Sequence, residues 1–231
     1  MRLLLATLPL LLLAGAQPGT VHARADSSPG IAPALVPLPR PAADGGAPLA
    51  QALAGRRSVR AFRPAPLALA EVGQLLWAAQ GTNREDGRRT APSAGATYPL
   101  ELWLVAGAVD GLPAGLYRYL PGEHALRPAG QGDRRAALAS AARGQAWVET
   151  APAVVAITAV EARTAARYGE RAGRYVAIEA GHAAQNLCLQ ATALGLGSVV
   201  VGAFADHEVE SLLGLPAGER PFLLLPVGRP R

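Results

Sequence analysis

Lysine is missing altogether, and all 22 basic residues are arginine. That one absence removes Schiff-base catalysis, pyridoxal-phosphate anchoring and the P-loop lysine. A single cysteine, Cys188, excludes an intramolecular disulfide, and its apolar helical setting reads as that of a small buried hydrophobe. Aromatics make up 5% and are not interleaved with the arginines, so the basic balance does not point to nucleic acid. Charged residues are 17% and hydrophobic ones 50% of 231 residues, which suits one compact domain with a sizeable core.

What is present begins with Met1-Arg2-Leu3-Leu4-Leu5 through Leu13-Ala14-Gly15-Ala16, one positive charge and then an apolar run too short to span a bilayer comfortably. It reads as a secretory signal over residues 1–23, with Val21-His22-Ala23 or Ala14-Gly15-Ala16 as the cleavage site. Export to the periplasm or medium is the expectation, with no stable membrane anchor after cleavage and no cysteine for a lipid. If the leader reading is wrong, the protein is cytoplasmic. Cleavage removes only Arg2 from the formal net charge of +5, so the basicity belongs to the mature chain. Residues 24–47, rich in Pro, Ala and Gly, form an extended arm ahead of a domain over 48–231.

Within that domain Pro48–Ala54 is a short helix closed by Gly55, and Leu69–Gln80 carries the helical period in Leu69, Val72, Leu75, Leu76 and Ala79. A long polar loop runs from Gly81 to Pro99. Leu100–Ala106 is a strand, Leu116–Leu120 and Ala125–Arg127 form a hairpin, and Asp133–Arg143 is a helix. Ala153–Val160 is a buried strand, Tyr175–Leu194 a long apolar helix, and Gly197–Phe204 and Phe222–Val227 two further strands around the helix Asp206–Leu213. Interspersed strands and helices with an early hairpin give an α+β class, one central sheet flanked by helices.

The densest chemistry is Arg56-Arg57-Ser58-Val59-Arg60, three guanidinium forks and a hydroxyl at a helix end, the donor set a phosphate needs. On chemistry alone a solvated basic face competes with that reading. Glu179, His182, Gln185 and Asn186 recur at helical spacing, but one His and one carboxylate are too few ligands for a metal, so a polar seam in a subunit interface is expected and no metal site. Tyr98, Tyr117, Tyr119 and Trp103 read as strand packing. Gly195-Leu196-Gly197 is either a helix cap leading into a strand or a close approach to a ligand.

In order along the chain come the arginine turn, Pro92-Ser93-Ala94-Gly95-Ala96-Thr97-Tyr98-Pro99, Gly195-Leu196-Gly197-Ser198 and Pro226-Val227-Gly228-Arg229. This set resembles the FMN-dependent nitroreductase-like superfamily. The stretches Pro92–Glu101 and Glu179-Ala180-Gly181-His182-Ala183-Ala184-Gln185-Asn186-Leu187 are similar to SagB and ThcOx type dehydrogenases, the branch that includes azoline oxidases of peptide natural products. The resemblance implies a mostly antiparallel sheet in an intertwined homodimer, with the long helix in its core and flavins at the subunit interface. It implies that Arg56, Arg57, Ser58, Arg60 and Arg229 hold FMN at its phosphate end. Pro92, Ser93, Ala94 and Gly95, with Gly195, Leu196 and Gly197, would line the ring.

Azoline oxidases carry a Lys-Tyr pair, and the corresponding region here reads Arg167-Tyr168. Arginine is a poor general base, its pKa lying above about 12. Tyr168 stays a candidate proton donor or substrate-orienting residue beside the alternative of a plain helix-start tyrosine. The function implied is an FMN oxidoreductase moving two electrons between an unidentified donor and acceptor, with a small molecule or peptide as substrate. The alternatives are an azoline dehydrogenase on a peptide and a non-catalytic exported flavin binder.

Overall fold

The computed structural model describes residues 34–44 and 46–231, so the leader expected at 1–23 and the first part of the arm lie outside the described residues. The sheet has strands β1 (Val36–Pro37), β2 (Leu100–Ala106), β3 (Gly115–Leu120), β4 (Ala125–Gln131), β5 (Ala153–Val160), β6 (Gly197–Ser198) and β7 (Glu219–Gly228). Their order across the sheet is β1-β4-β3-β2-β5-β7-β6, and every pairing is antiparallel. The helices are α1 (Leu49–Gly55), α2 (Leu69–Gln80), α3 (Arg135–Ala141), α4 (Ala146–Thr150), α5 (Ala162–Tyr168), α6 (Ala172–Ala193) and α7 (Asp206–Leu213).

The two faces of the sheet follow from period-two alternation. Leu100, Leu102 and Leu104 of β2 and Val155, Ile157 and Ala159 of β5 join the core shared with α2 and α6. Their neighbours Trp103, Val105, Val154 and Ala156 face the other way, against α3, α4 and α7. Helix α6 packs flat on the first face because its buried stripe is Val176, Ala180, Ala183, Ala184, Leu187, Cys188 and Ala191, mostly small residues at spacings of three and four. Its 22 residues make a rod about 33 Å long. That rod separates the two regions where the chemistry lies.

In the described part of the arm, Val36 and Pro37 pair with Leu126 and Ala125 at the sheet edge, where a proline's missing N–H costs nothing. His124 pins the arm to the hairpin. Its Nε2 lies 2.9 Å from the Pro39 carbonyl, which can only accept, so Nε2–H donates and Nδ1 accepts from the Tyr119 hydroxyl at 2.9 Å.

Four expectations are revised. The strand over Gly197–Phe204 is a ladder only at Gly197–Ser198, with a lone bridge from Val201 to Leu224, because the outer side of Ser198 is taken by the chain at Ser58 and Val59. Helices α4 and α5 were not anticipated; α5 buries only Thr164 and so carries no apolar stripe to betray it. Tyr168 therefore ends a helix and does not start one. Glu179 also parts from its expected seam: it is 3% exposed, whereas His182 and Gln185 are open to solvent.

Candidate functional site

The arginine turn is placed by the C-terminal end of α6. Gly55 closes α1 where an added Cβ would lie 3.4 Å from Thr192 Cγ2, and Arg56 N–H caps the helix on the Ala52 carbonyl at 2.9 Å. The chain then runs alongside β6, with Val59 N–H on the Ser198 carbonyl at 3.0 Å. Helix α6 ends in paired capping bonds, Leu196 N–H to Ala191 O at 2.8 Å and Gly195 N–H to Thr192 O at 3.0 Å, with Gly195 at φ 70°. Gly195 is thus the helix terminator. Gly197 has a different reason to be glycine: a Cβ there would stand 2.6 Å from Val59 Cγ2, so the Val59 side chain fills the space over it.

Arg56, Arg57 and Ser58 are exposed on this corner, and among the described residues neither Arg56 nor Arg57 pairs with a carboxylate. Arg60 is engaged elsewhere, its guanidinium 5.5 Å from the centre of the Trp147 ring. Arg229 arrives at the same corner, since Gly228 lies opposite Gly197 and the Arg229 carbonyl accepts from Arg63 N–H at 2.8 Å. Its Nη2 is held on both oxygens of Glu71, at 3.0 and 3.1 Å. Beneath them Ser198 Oγ donates to Cys188 Sγ at 3.3 Å. Burial pushes the Cys188 thiol up, while that hydrogen bond and the Arg56 charge oppose the shift.

The Pro92–Tyr98 loop lies toward the other end of α6. Gly95, Ala96 and Tyr98 have φ of 59°, 53° and 44°, and each non-glycine left-handed residue costs about 1–2 kcal/mol. Side chains brace this backbone from behind. Tyr98 N–H donates to Ser93 Oγ at 2.9 Å, and Thr97 and Thr164 share a hydroxyl bond of 2.9 Å. Arg163 donates to Tyr98 O at 3.0 Å and pairs with Glu101 at 2.7 Å, while Arg167 donates to Gly95 O at 3.3 Å. Tyr168 reaches the same spot: a Cβ on Gly95 would lie 2.7 Å from its hydroxyl.

A buried polar cluster underlies the loop. Arg89 donates to Gln80 Oε1 at 2.8 Å and Leu100 O at 3.2 Å, with its guanidinium 4.8 Å from the Tyr98 ring centre. Burial lowers the Arg89 pKa, and Glu101 and Glu179 are the leading charges that resist the shift. Glu179 comes up from α6, and burial raises its carboxyl pKa against the Ser93 hydroxyl, the Arg89 charge and the Ala94 N–H. Tyr117, Tyr119 and Trp103 are core residues as expected, and Tyr98 belongs to this loop.

Residues 53–229 match the Nitroreductase family. The chain belongs to the nitroreductase family. It is therefore an oxidoreductase, and the α+β fold with its antiparallel sheet is that of the family. A candidate nitroreductase of Methanocaldococcus jannaschii is 45% identical over 181 residues, covering 78% of this chain and 90% of that protein. The crystal structure of a candidate nitroreductase from Ralstonia eutropha JMP134 superimposes with a TM-score of 0.76 at 33% identity, covering 85% of this chain and 90% of that one. The NADPH:FMN oxidoreductase of Vibrio harveyi, at 21% identity and a TM-score of 0.58 over 79% of this chain and 68% of that one, shares the fold.

Of the residues expected at a cofactor, Arg56, Arg57, Ser58, Gly195, Leu196, Gly197 and Arg229 gather at one end of α6, and Pro92, Ser93, Ala94 and Gly95 at the other. From Glu179 under the loop to Ala193 is about 20 Å of helix. Arg89, Arg163 and Thr164 were not foreseen, and Arg167, noted only as a poor base beside Tyr168, donates to the Gly95 carbonyl. The spacing of Arg163 and Arg167 is one helical turn, the signal that would have aligned both on the loop had α5 been recognised.

Proposed function

We propose that this nitroreductase-family protein binds FMN and moves two electrons between a donor and a small-molecule acceptor, with each flavin held by two copies of the chain. The observation that carries the reading is the pair Arg56 and Arg57 with Ser58, exposed on a corner that packs on β6 through Val59 against Gly197. That donor set fits a phosphate, and no carboxylate neutralises Arg56 or Arg57 among the described residues. The small residues Ser93, Ala94 and Gly95 fit the flat face of a ring, because they hold no bulk over the loop. The flavin supplies the redox chemistry when bound.

The chain's own residues bind and orient. Arg56, Arg57 and Ser58 hold the phosphate end, Arg229 reinforces them on release from Glu71, and the braced loop presents a fixed backbone to the ring. Arg167 is committed to the Gly95 carbonyl and serves as a brace, not a base. Tyr168, with its hydroxyl at Gly95, is placed to orient a substrate or deliver a proton there. The stretches Pro92–Glu101 and Glu179–Leu187 are the grounds for reading the chain into the SagB and ThcOx type branch. We also read it as exported, so that its electrons come from a source other than cytoplasmic nicotinamides; a reporter fusion active only in the cytoplasm would refute that.

Two copies are invoked because the halves of the site lie about 20 Å apart along one helix. Exposed Val200 lines an apolar groove with Ala177, Gly181, Phe222 and Leu223, a face suited to a second copy. The test is purification with FMN followed by co-expression of two defective chains, R57A/S58A and G95V. Flavin absorbance and a thermal shift with FMN are expected for the wild type, and a colourless protein with no shift overturns the reading. Mixed dimers should regain about half the FMN sites, since one of the two sites then pairs an intact turn with an intact loop. No recovery places the whole site within one chain.

A further inference from the structure

Glu179 is a buried carboxyl that the binding scheme leaves without a task. It is 3% exposed, and its Oε1 has no hydrogen-bond partner. A carboxylate in such a place normally has a cation on it. The nearest cation, Arg89, is spent on Gln80 Oε1 and the Leu100 carbonyl, and no ion pair joins it to Glu179 among the described residues. Other charged and titratable groups around the loop are Tyr98, Glu101 with its partners Arg118 and Arg163, and Arg167 and Tyr168 from α5. Glu101 is therefore neutralised twice over, whereas Glu179 has only the Ser93 hydroxyl, the Arg89 charge and the Ala94 N–H to favour its ionised form.

The carboxyl thus lies in the part of α6 that packs under the loop proposed to carry the flavin ring, where Ser93 and Ala94 influence its charge. Negative charge added above Ser93 and Ala94 makes the carboxylate harder to hold, and the least costly response of a buried acid is to bind a proton. Ser93 offers the way to solvent: it is half-buried, its Oγ accepts from Tyr98 N–H at 2.9 Å, and its hydroxyl is the leading group that favours an ionised Glu179. Resting on the FMN reading above, we propose that Glu179 is a proton store for the cofactor loop. When an external two-electron donor reduces the flavin, Glu179 takes up one proton from solvent at Oε1, and it releases that proton when the electrons leave. Two electrons and one proton go to the ring, and the second proton, on Glu179, cancels the remaining negative charge. Glu179 acts through Ser93 and Ala94 and is a positioning residue, not a catalytic one.

The experiment is a potentiometric titration of bound FMN with dithionite from about pH 5 to 9, on wild type and E179Q, counting protons taken up per electron pair. In the window where the oxidised form holds Glu179 ionised, the wild type should take up as much as one proton more per pair than E179Q. Glutamine keeps an acceptor for Ser93 and Ala94, so FMN affinity should change less than threefold in that variant. Infrared difference spectra of the wild type alone should gain a protonated-carboxyl band on reduction. Equal proton counts in the two proteins, or for a variant that does not fold the absence of that band from the wild type, overturn the proposal. Failure of the wild type to bind FMN instead overturns the functional reading beneath it.

Discussion

The two ends of α6 solve opposite problems. At the C-terminal end the backbone is relaxed and capped, Gly197 admits Val59 at contact distance, and the functional groups are exposed charges. At the loop end three of four successive residues from Gly95 are left-handed, and side chains from α5 hold them there. A charged grip works through what it displays, and a strained loop through what stands behind it.

That contrast is broken most forcefully at the displayed end. R57A/S58A should weaken FMN binding about 100-fold, since hydrogen bonds to charged groups contribute about 1.5–3 kcal/mol each. Calorimetric titration measures the loss, and far-UV circular dichroism should stay unchanged because both side chains are exposed. A tenfold or smaller loss would mean the flavin is gripped elsewhere. Replacing the glycines separates packing from strain: G197A meets Val59 and should lower stability by about 1–3 kcal/mol in urea unfolding. G95A meets the Tyr168 hydroxyl on top of a left-handed φ and should cost about 1–2 kcal/mol.

A finer cut is T164V, which removes the Thr97 hydroxyl's partner behind the loop. It should cost about 1 kcal/mol and speed hydrogen exchange at Thr97 and Tyr98 while leaving the arginine corner unchanged. The smallest difference at neutral pH is expected of E179Q. Burial holds the Glu179 carboxyl above its ordinary 4.5, so folding favours the protonated form. Wild-type stability should therefore fall as pH rises from about 4.5 through the raised folded-state value, and E179Q, which cannot ionise, should not share that fall. Thermal melts of the flavin-free proteins across that range check the sign.

The ends also differed in how far they could be read beforehand. Helix α2 and strands β2 and β5 fall on the anticipated residues, because an unbroken apolar period reports burial directly. The arginine turn stood out as a cluster of charge, and the structure adds that Arg56, Arg57 and Ser58 are exposed. The loop's braces did not stand out. Helix α5 has one buried side chain, Thr164, and its arginines look like solvated surface until the fold lays them over Gly95 and Tyr98. Glu179 looked like one member of a polar seam because spacing places it near His182, and only the packing of α6 under Ser93 turns it inward. The short β6 was over-read for a related reason: its partner on one side is a segment at Ser58 and Val59 that no local pattern foretells.

The pairing of Phe62 with Pro230, tightened by Arg231 Nε on the Phe62 carbonyl across 169 positions, has a consequence for biogenesis. The arginine turn is made well before the segment that steadies it, because 169 positions separate Phe62 from Arg231. Closing so long a loop is slow and comes late in folding. Until that pairing forms, the turn carries its donors without the edge that aligns them, so the arginine corner is completed only when segments far apart in sequence have met.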